Sequence, residues 1–328
     1  MASLRLLATR LFPSALLLLA AAPMLAADDD QAETLLRQGR VGAAASMLQE
    51  TLSGQPYDAR AHELLCRVFY AQDMPDPAVR ECEQAARDDA SNSDNEMWLG
   101  RTYGLKASQA NVLNAFSIAR KVHVAFEQAV RLNPANLQAM SDLGQFYVAA
   151  PAIVGGGTNK AQALVPQILP HSAAKAHRLL GLIAQKKNDP AAAEAEFKQA
   201  IASAKTPEAV SAAWVDLGLF YQQQSQPDLA VEALKSSIQA NHIHNASLVD
   251  AASILTELHR EPELAEKLLR DYLASPAKSD EAPAFKVHLQ LGDILKKRGD
   301  MAGAQLEYAA ALELAPDFVP ARKAAQSA

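Results

Sequence analysis

Cys66 and Cys82, the chain's only two cysteines, stand with 15 residues between them. They form no CxxC, so their chemistry is that of a structural disulfide or of two buried thiols, not of a redox catalyst. His62, His177 and His288 raise the question of a metal, as does His242-Ile243-His244, but neither set has acidic or cysteine ligands at a metal-site spacing. Gly155-Gly156-Gly157-Thr158-Asn159-Lys160 has the look of a phosphate loop without its order, because the lysine is separated from the glycines and no strand precedes it. Its triple-glycine amides could still hold an anion at a helix start, or the loop is an inserted turn with Thr158 or Asn159 as N-cap. Arg67, Tyr70, Trp98, Arg101, Gln145 and Arg178 offer guanidinium groups interleaved with aromatic rings. Such groups suit a carboxylate-bearing extended segment or chain terminus, through charge-assisted bonds and stacking. Ser-His-Asp order, paired catalytic carboxylates and HExxH are absent from the sequence, so no reaction, cofactor or metal is expected.

The elements that must position these residues are helices in pairs. Leu99-Gly100 is followed by Tyr103, Leu143-Gly144 by Tyr147 and Leu217-Gly218 by Tyr221; looser copies lie at Leu180-Gly181 and Leu291-Gly292. Twelve residues after Gly181, Gly218 and Gly292 come Ala193, Ala230 and Ala304. A large residue follows each at plus four (Phe197, Leu234, Tyr308) and a small one at plus seven (Ala200, Ser237, Ala311). Each unit is a helical hairpin that cannot bury its apolar face alone, and stacking the units makes a continuous core. The expectation is an all-α, right-handed solenoid of about seven to eight hairpins over residues 28–318. Units at 59–92, 174–207, 211–244 and 285–318 are regular, the first hairpin is partial, and 246–278 is degenerate. Residues 319–328 are expected to form a short capping helix or tail. Pro134 and Pro316 should end second helices.

This pattern resembles the tetratricopeptide repeat, over almost all of the chain that follows the leader. WLGRTYG (Trp98–Gly104), FEQAVRLNPAN (Phe126–Asn136) and LGQFYVAAPAIVGGGTNKA (Leu143–Ala161) resemble more narrowly a secreted or periplasmic bacterial subgroup. That subgroup is remotely similar to regulator-of-microtubule-dynamics proteins and to the T-component of certain solute transporters. The resemblance implies protein binding or solute handling, not catalysis. In such a fold the residue after each first helix's small slot, and the one four before it, project onto the concave face. Arg67, Arg101 and Gln145 then share a row with Arg178 beside it, and Tyr70 and Trp98 lie near; solvated surface arginines are the competing reading. Cys66 fills a slot that is glycine elsewhere, and Cys82 the slot of Phe126, Phe197 and Tyr308, so a bridge across the hairpin is expected. The recurrent histidines occupy a packing slot that Trp214 fills in another unit.

Two hairpins break the period. Gly100 to Val122 is ten residues longer than the regular interval, which implies a second-helix extension over 105–122 with its own apolar stripe (Val112, Leu113, Phe116, Ile118). Gly144 to Ala161 is five longer and takes in the 151–160 loop. These inserts are where a small-molecule pocket would form if the protein handled a solute.

Residues 1–27 read as a cleaved Sec signal peptide: Arg5 and Arg10, an apolar core from Leu11 to Ala22, then Ala26 and Ala27. The expected location is the periplasm or outside the cell. The formal charge of −6 becomes −8 once the two leader arginines are removed. That balance argues against nucleic acid and against an anionic membrane surface as partners, and no later segment is apolar enough to span a bilayer. A protein or peptide partner is the expectation.

Overall fold

The computed structural model describes residues 22–327, so most of the expected leader lies outside the described residues. Seventeen α-helices and one short 3-10 helix follow one another there, with no strand among the described residues. They form eight hairpins: α1 Ala22–Arg37 with α2 Val41–Gly54, α3 Ala59–Ala71 with α4 Pro75–Asp88, α5 Ser93–Gln109 with α6 Val112–Leu132, and α7 Leu137–Ala149 with α8 Thr158–Ile168. Then come α9 Ala173–Lys186 with α10 Pro190–Ser203, α11 Pro207–Gln223 with α12 Pro227–Ala240, α13 Ser247–Glu257 with α14 Pro262–Ala274, and α15 Ala284–Lys297 with α16 Met301–Leu314. The last helix, α17, runs Val319–Gln326 against α15 and α16. The first hairpin, expected to be partial, is a full helix pair across Gly39, which turns at φ 76°.

Local chemistry sets the boundaries. Asp58, Asn92, Asn136, Ser172 and Thr206 cap helices by accepting backbone N–H bonds, and α6 and α16 end two residues before Pro134 and Pro316. Within the hairpins small residues meet large ones. A methyl on Gly100 would stand 2.5 Å from the Phe126 ring, and one on Gly292 would stand 2.4 Å from Tyr308. In α3–α4 the same crossing is covalent: Cys66 and Cys82 are fully buried, their Cα atoms 5.3 Å apart and their sulfurs at bonding distance.

The array closes on itself, which the repeat pattern alone does not foretell. Leu36, Val41, Leu48 and Leu64 share one core cluster with Phe285, Ala311, Phe318 and Ala321, so the first and last hairpins bury each other's outer faces. Phe285 and Phe318 meet edge to face at 4.8 Å. Lys286 of α15 bridges to Asp73, in the turn of the second hairpin, at 2.8 Å. The last apolar face is thus covered by α17 and by the N-terminal hairpin together.

Candidate functional site

First helices α5, α7, α9, α11 and α13 line the inside of the array in turn. Two adjoining hollows of 390 and 440 Å³ share Asp142, Gln145 and Glu281 in their walls. The first is walled mainly by Gln138, Ser141, Lys175, Arg178, Asp216 and Asp250; the second by Tyr70, Trp98, Arg101 and Phe146. Of the six residues expected on the concave face, Tyr70, Trp98, Arg101, Gln145 and Arg178 line these hollows. Arg67 sits just behind them.

Trp98 is the centre of this surface. The Arg67 guanidinium lies 5.1 Å from its ring and that of Arg101 4.6 Å, while Tyr70 meets it edge-on at 5.6 Å. Flanking cations over an indole are held by the ring quadrupole. The arginines are not free, however, and this corrects the expectation of open carboxylate receptors. Arg101 Nε donates to Asp142 at 2.6 Å, and Arg178 Nε donates to both Asp216 oxygens at 2.9 Å. Arg67 donates to Glu63 at 3.2 Å and, through Nε and Nη2, to Asp280 at 3.0 and 2.7 Å. Burial works against the Arg67 charge, but Glu63 and Asp280 more than offset it and hold the guanidinium above its usual range.

Asp280 arrives from the connection between α14 and α15. This strap, residues 275–283, turns inward and is pinned where Tyr272 Oη donates to the Ala282 carbonyl at 2.7 Å and accepts from Ser279 N at 3.0 Å. Its next residue, Glu281, faces both hollows. The repeat pattern gives no sign of the strap. The pairings along the inner wall did leave a signal: Asp142 and Asp216 each stand two residues before the glycine of their unit, within reach of an arginine one unit earlier.

The groups left over are the Lys175 amine, whose one hydrogen-bond acceptor among the described residues is Gln138 Oε1 at 3.3 Å, and Asp250. Burial lowers the Lys175 pKa, with Asp142 pulling it back. Asp250 is pushed up to about 6 by the surrounding protein and by the charges of Asp216 and Glu281. Burial also raises the Asp216 carboxyl, against the pull of Arg178. The inner wall thus carries apolar and aromatic area at one end and an unmatched amine and carboxylates at the other.

The inserts behave differently from expectation. The first lengthens both α5 and α6, and its apolar stripe is only partly packed: Ile118 joins the core, whereas Val112, Leu113 and Phe116 face outward. The hollow it borders, lined by Asp76, Glu83, Tyr103, Lys106, Ile118 and Lys121, includes nothing from 151–160. In the second insert the glycine amides are already used. Gly156 N donates to Pro151 O at 3.1 Å and Gly157 N to Tyr147 O at 2.7 Å. No side chain caps α8, which begins at Thr158 after Gly157. Gly155, at φ 104°, lies against the His123 ring, which stacks on Phe146 at 5.7 Å. Gly155 to Gly157 therefore make a shaped turn with no free anion cradle.

The recurrent histidines pack and also pair. His62, His177 and His288 each place Nδ1 2.7 Å from a second-helix carboxylate nineteen residues on, in Glu81, Glu196 and Glu307. His242 and His244 lie exposed in the turn before α13. No helix among the described residues is long and apolar enough to cross a membrane.

Tetratricopeptide repeat family models match residues 30–95, 178–243 and 285–318, together half of the chain. No curated protein matches in sequence. Among solved structures, a thermophilic tetratricopeptide repeat protein of Thermus thermophilus is 18% identical, over 71% of this chain and 99% of its own, at a TM-score of 0.46. The human IFIT1 dimer with m7Gppp-AAAA is 15% identical over 89% of this chain and 72% of its own, also at 0.46. PilF of Pseudomonas aeruginosa is 16% identical over 73% and 99%, at 0.39. At such identities the likeness concerns the helical architecture alone.

Proposed function

The chain belongs to the tetratricopeptide repeat family, and from that premise we propose that it is an exported, non-enzymatic scaffold holding a segment of a protein partner against its inner face. Repeats of this family generally serve protein interaction rather than catalysis. The observation that carries the reading is the strap. A loop of the chain already lies on the inner face, its acidic turn placing Asp280 in two hydrogen bonds with Arg67 and Glu281 in the adjoining hollows. A partner's extended chain would continue beyond it, stacking on Trp98, Tyr70 and Phe146. A basic group of that chain would face Asp250 and Glu281, and a carboxylate would reach Lys175 or exchange with Asp142 on Arg101. Export to the periplasm rests on the leader sequence and fits the buried cysteine pair.

The test is affinity capture from envelope extract of the source cells with wild type, Trp98→Ala/Gln145→Arg, and a control, Glu50→Arg, at an exposed position of α2 away from both hollows. The inner-face variant should lose partners that wild type and control retain, with unchanged helicity by circular dichroism. Recovery of the same partners by all three would sink the proposal.

A further inference from the structure

The hairpin α5–α6 stands out from the array. α5 has 17 residues against 13 in α3 and α7, and α6 has 21 against 14 in α4. At 1.5 Å per residue its two arms reach about 6 and about 10 Å beyond their neighbours. Its tip is apolar and bare. Asn111 caps α6 by accepting from Asn114 N at 3.0 Å, and the residues just inside that cap are Val112, 72% exposed, and Leu113, 85% exposed. Phe116 is 42% exposed and Val124 63%. Leu113, Phe116, Arg120 and Val124 recur at helical spacing along one outward face of α6.

The charge carried by this hairpin's own tip is opposite to that of the molecule, with Asp76 and Glu83 of the preceding hairpin beside it. Between Glu96 and Glu127 the sequence has no acid, while it has Arg101, Lys106, Arg120 and Lys121. Arg101 is spent inside on Asp142. Of the others, Lys106 meets Asp76 of the preceding hairpin at 2.9 Å, and Lys121 lies over the Tyr103 ring at 5.0 Å, near Glu83. Arg120 is exposed and has no ion pair among the described residues. An overall acidic balance therefore conceals a cationic, apolar-ended protrusion.

We propose that this tip docks the protein on an anionic phospholipid surface, with Val112, Leu113 and Phe116 entering the headgroup boundary and Arg120 and Lys121 meeting lipid phosphates. Shape argues for a bilayer: a flat surface can be touched only by what projects, and these apolar side chains crown the projection. The reach of about 6 to 10 Å is the depth to which interfacial helices bury their apolar faces. Basic residues beside an inserted apolar cluster supply the second signal that a weak anchor needs. The attachment is peripheral and would hold the repeat array beside the bilayer.

Vesicle flotation of the full chain tests this, with phosphatidylcholine alone and with phosphatidylcholine containing phosphatidylglycerol. Wild type should float with the anionic vesicles only, and binding should fall several-fold as salt rises and screens the surface charge. Leu113→Ser/Phe116→Ser and Arg120→Glu/Lys121→Glu should each bind about tenfold more weakly or less. Both pairs lie outside the core, so their circular dichroism should match wild type. Absence of binding to anionic vesicles at low salt would overturn the proposal, as would equal binding by the variants. A solution dimer abolished by Leu113→Ser, with no lipid binding, would assign the tip to a second copy and overturn it too.

Discussion

Replacing Arg67 with methionine should be among the most damaging single changes in this protein, and the damage should depend on pH. Arg67 is nearly buried and holds Glu63, Asp280 and, at 3.5 Å, Glu33. Methionine keeps much of the apolar stem against Trp98, so the change reports on charge more than on packing. Glu63 would remain in the interior with Arg60 as its one cationic neighbour. Removing one partner of a buried pair costs about 3–5 kcal/mol, and the Arg60 contact places this case near 3. The sign with pH follows from Glu63. Burial already raises its pKa, with Arg67 and then Arg60 pulling it down, so losing Arg67 raises it further. A carboxyl whose folded pKa is raised destabilises above that pKa, and the penalty disappears as pH falls toward the unfolded value of about 4.3. Urea unfolding followed by circular dichroism at pH 8, 6.5 and 5 should show the gap to wild type narrowing as pH falls. Adding Glu63→Gln should recover much of the loss at pH 8. A gap under about 1 kcal/mol at pH 8, or one that ignores pH, would refute this account of the cluster.

Further expectations concern other parts of the array. Cys66→Ala/Cys82→Ala should lower stability by about 3 kcal/mol on the chain-entropy model, and denatured unreduced wild type should show no labelled thiol. Asp250→Asn should stabilise at pH 8. Its carboxyl titrates near 6 when folded, so the cost of ionising it is full above that value and gone below the unfolded value of about 4. The shift alone would correspond to about 3 kcal/mol, but this side chain is solvent-exposed, and about 1 is expected in thermal melts across that range. Gly156→Ala should disrupt the second insert, because its methyl would lie 1.9 Å from the Ala150 carbonyl oxygen, a backbone atom that cannot step aside. A loss of about 1–3 kcal/mol, with faster amide exchange over 150–160, is the measurable result.

Much of the architecture was legible because tetratricopeptide units repeat small-on-large contacts at fixed spacing. Gly100 under Phe126 and Gly292 under Tyr308 are local consequences of a 34-residue pattern, and Cys66 with Cys82 is that contact made covalent. The inner-face slots could be named from the repeat, and Trp98, Arg101 and Gln145 line the hollows. Their electrostatic state was not. Arg101 meets Asp142 one unit on, and Arg67 meets Asp280 across the closed array, 213 residues away. Ring closure depends on the small rotation accumulated per unit, which no single repeat encodes. The strap was hidden for the same reason, since a loop's direction is set by what surrounds it. The apolar residues of the first insert were visible, but periodicity cannot say whether a stripe meets a neighbour or points past it.

In the proposed function a partner lies on the inner wall. A photo-crosslinking amino acid at Gln145, inside, and at Glu50, away from both hollows, tests it most directly in extract of the source cells. A covalent adduct is expected from position 145 that is absent when Trp98 is alanine, and none of that partner from position 50. Adducts from position 50 with none from position 145 would contradict it.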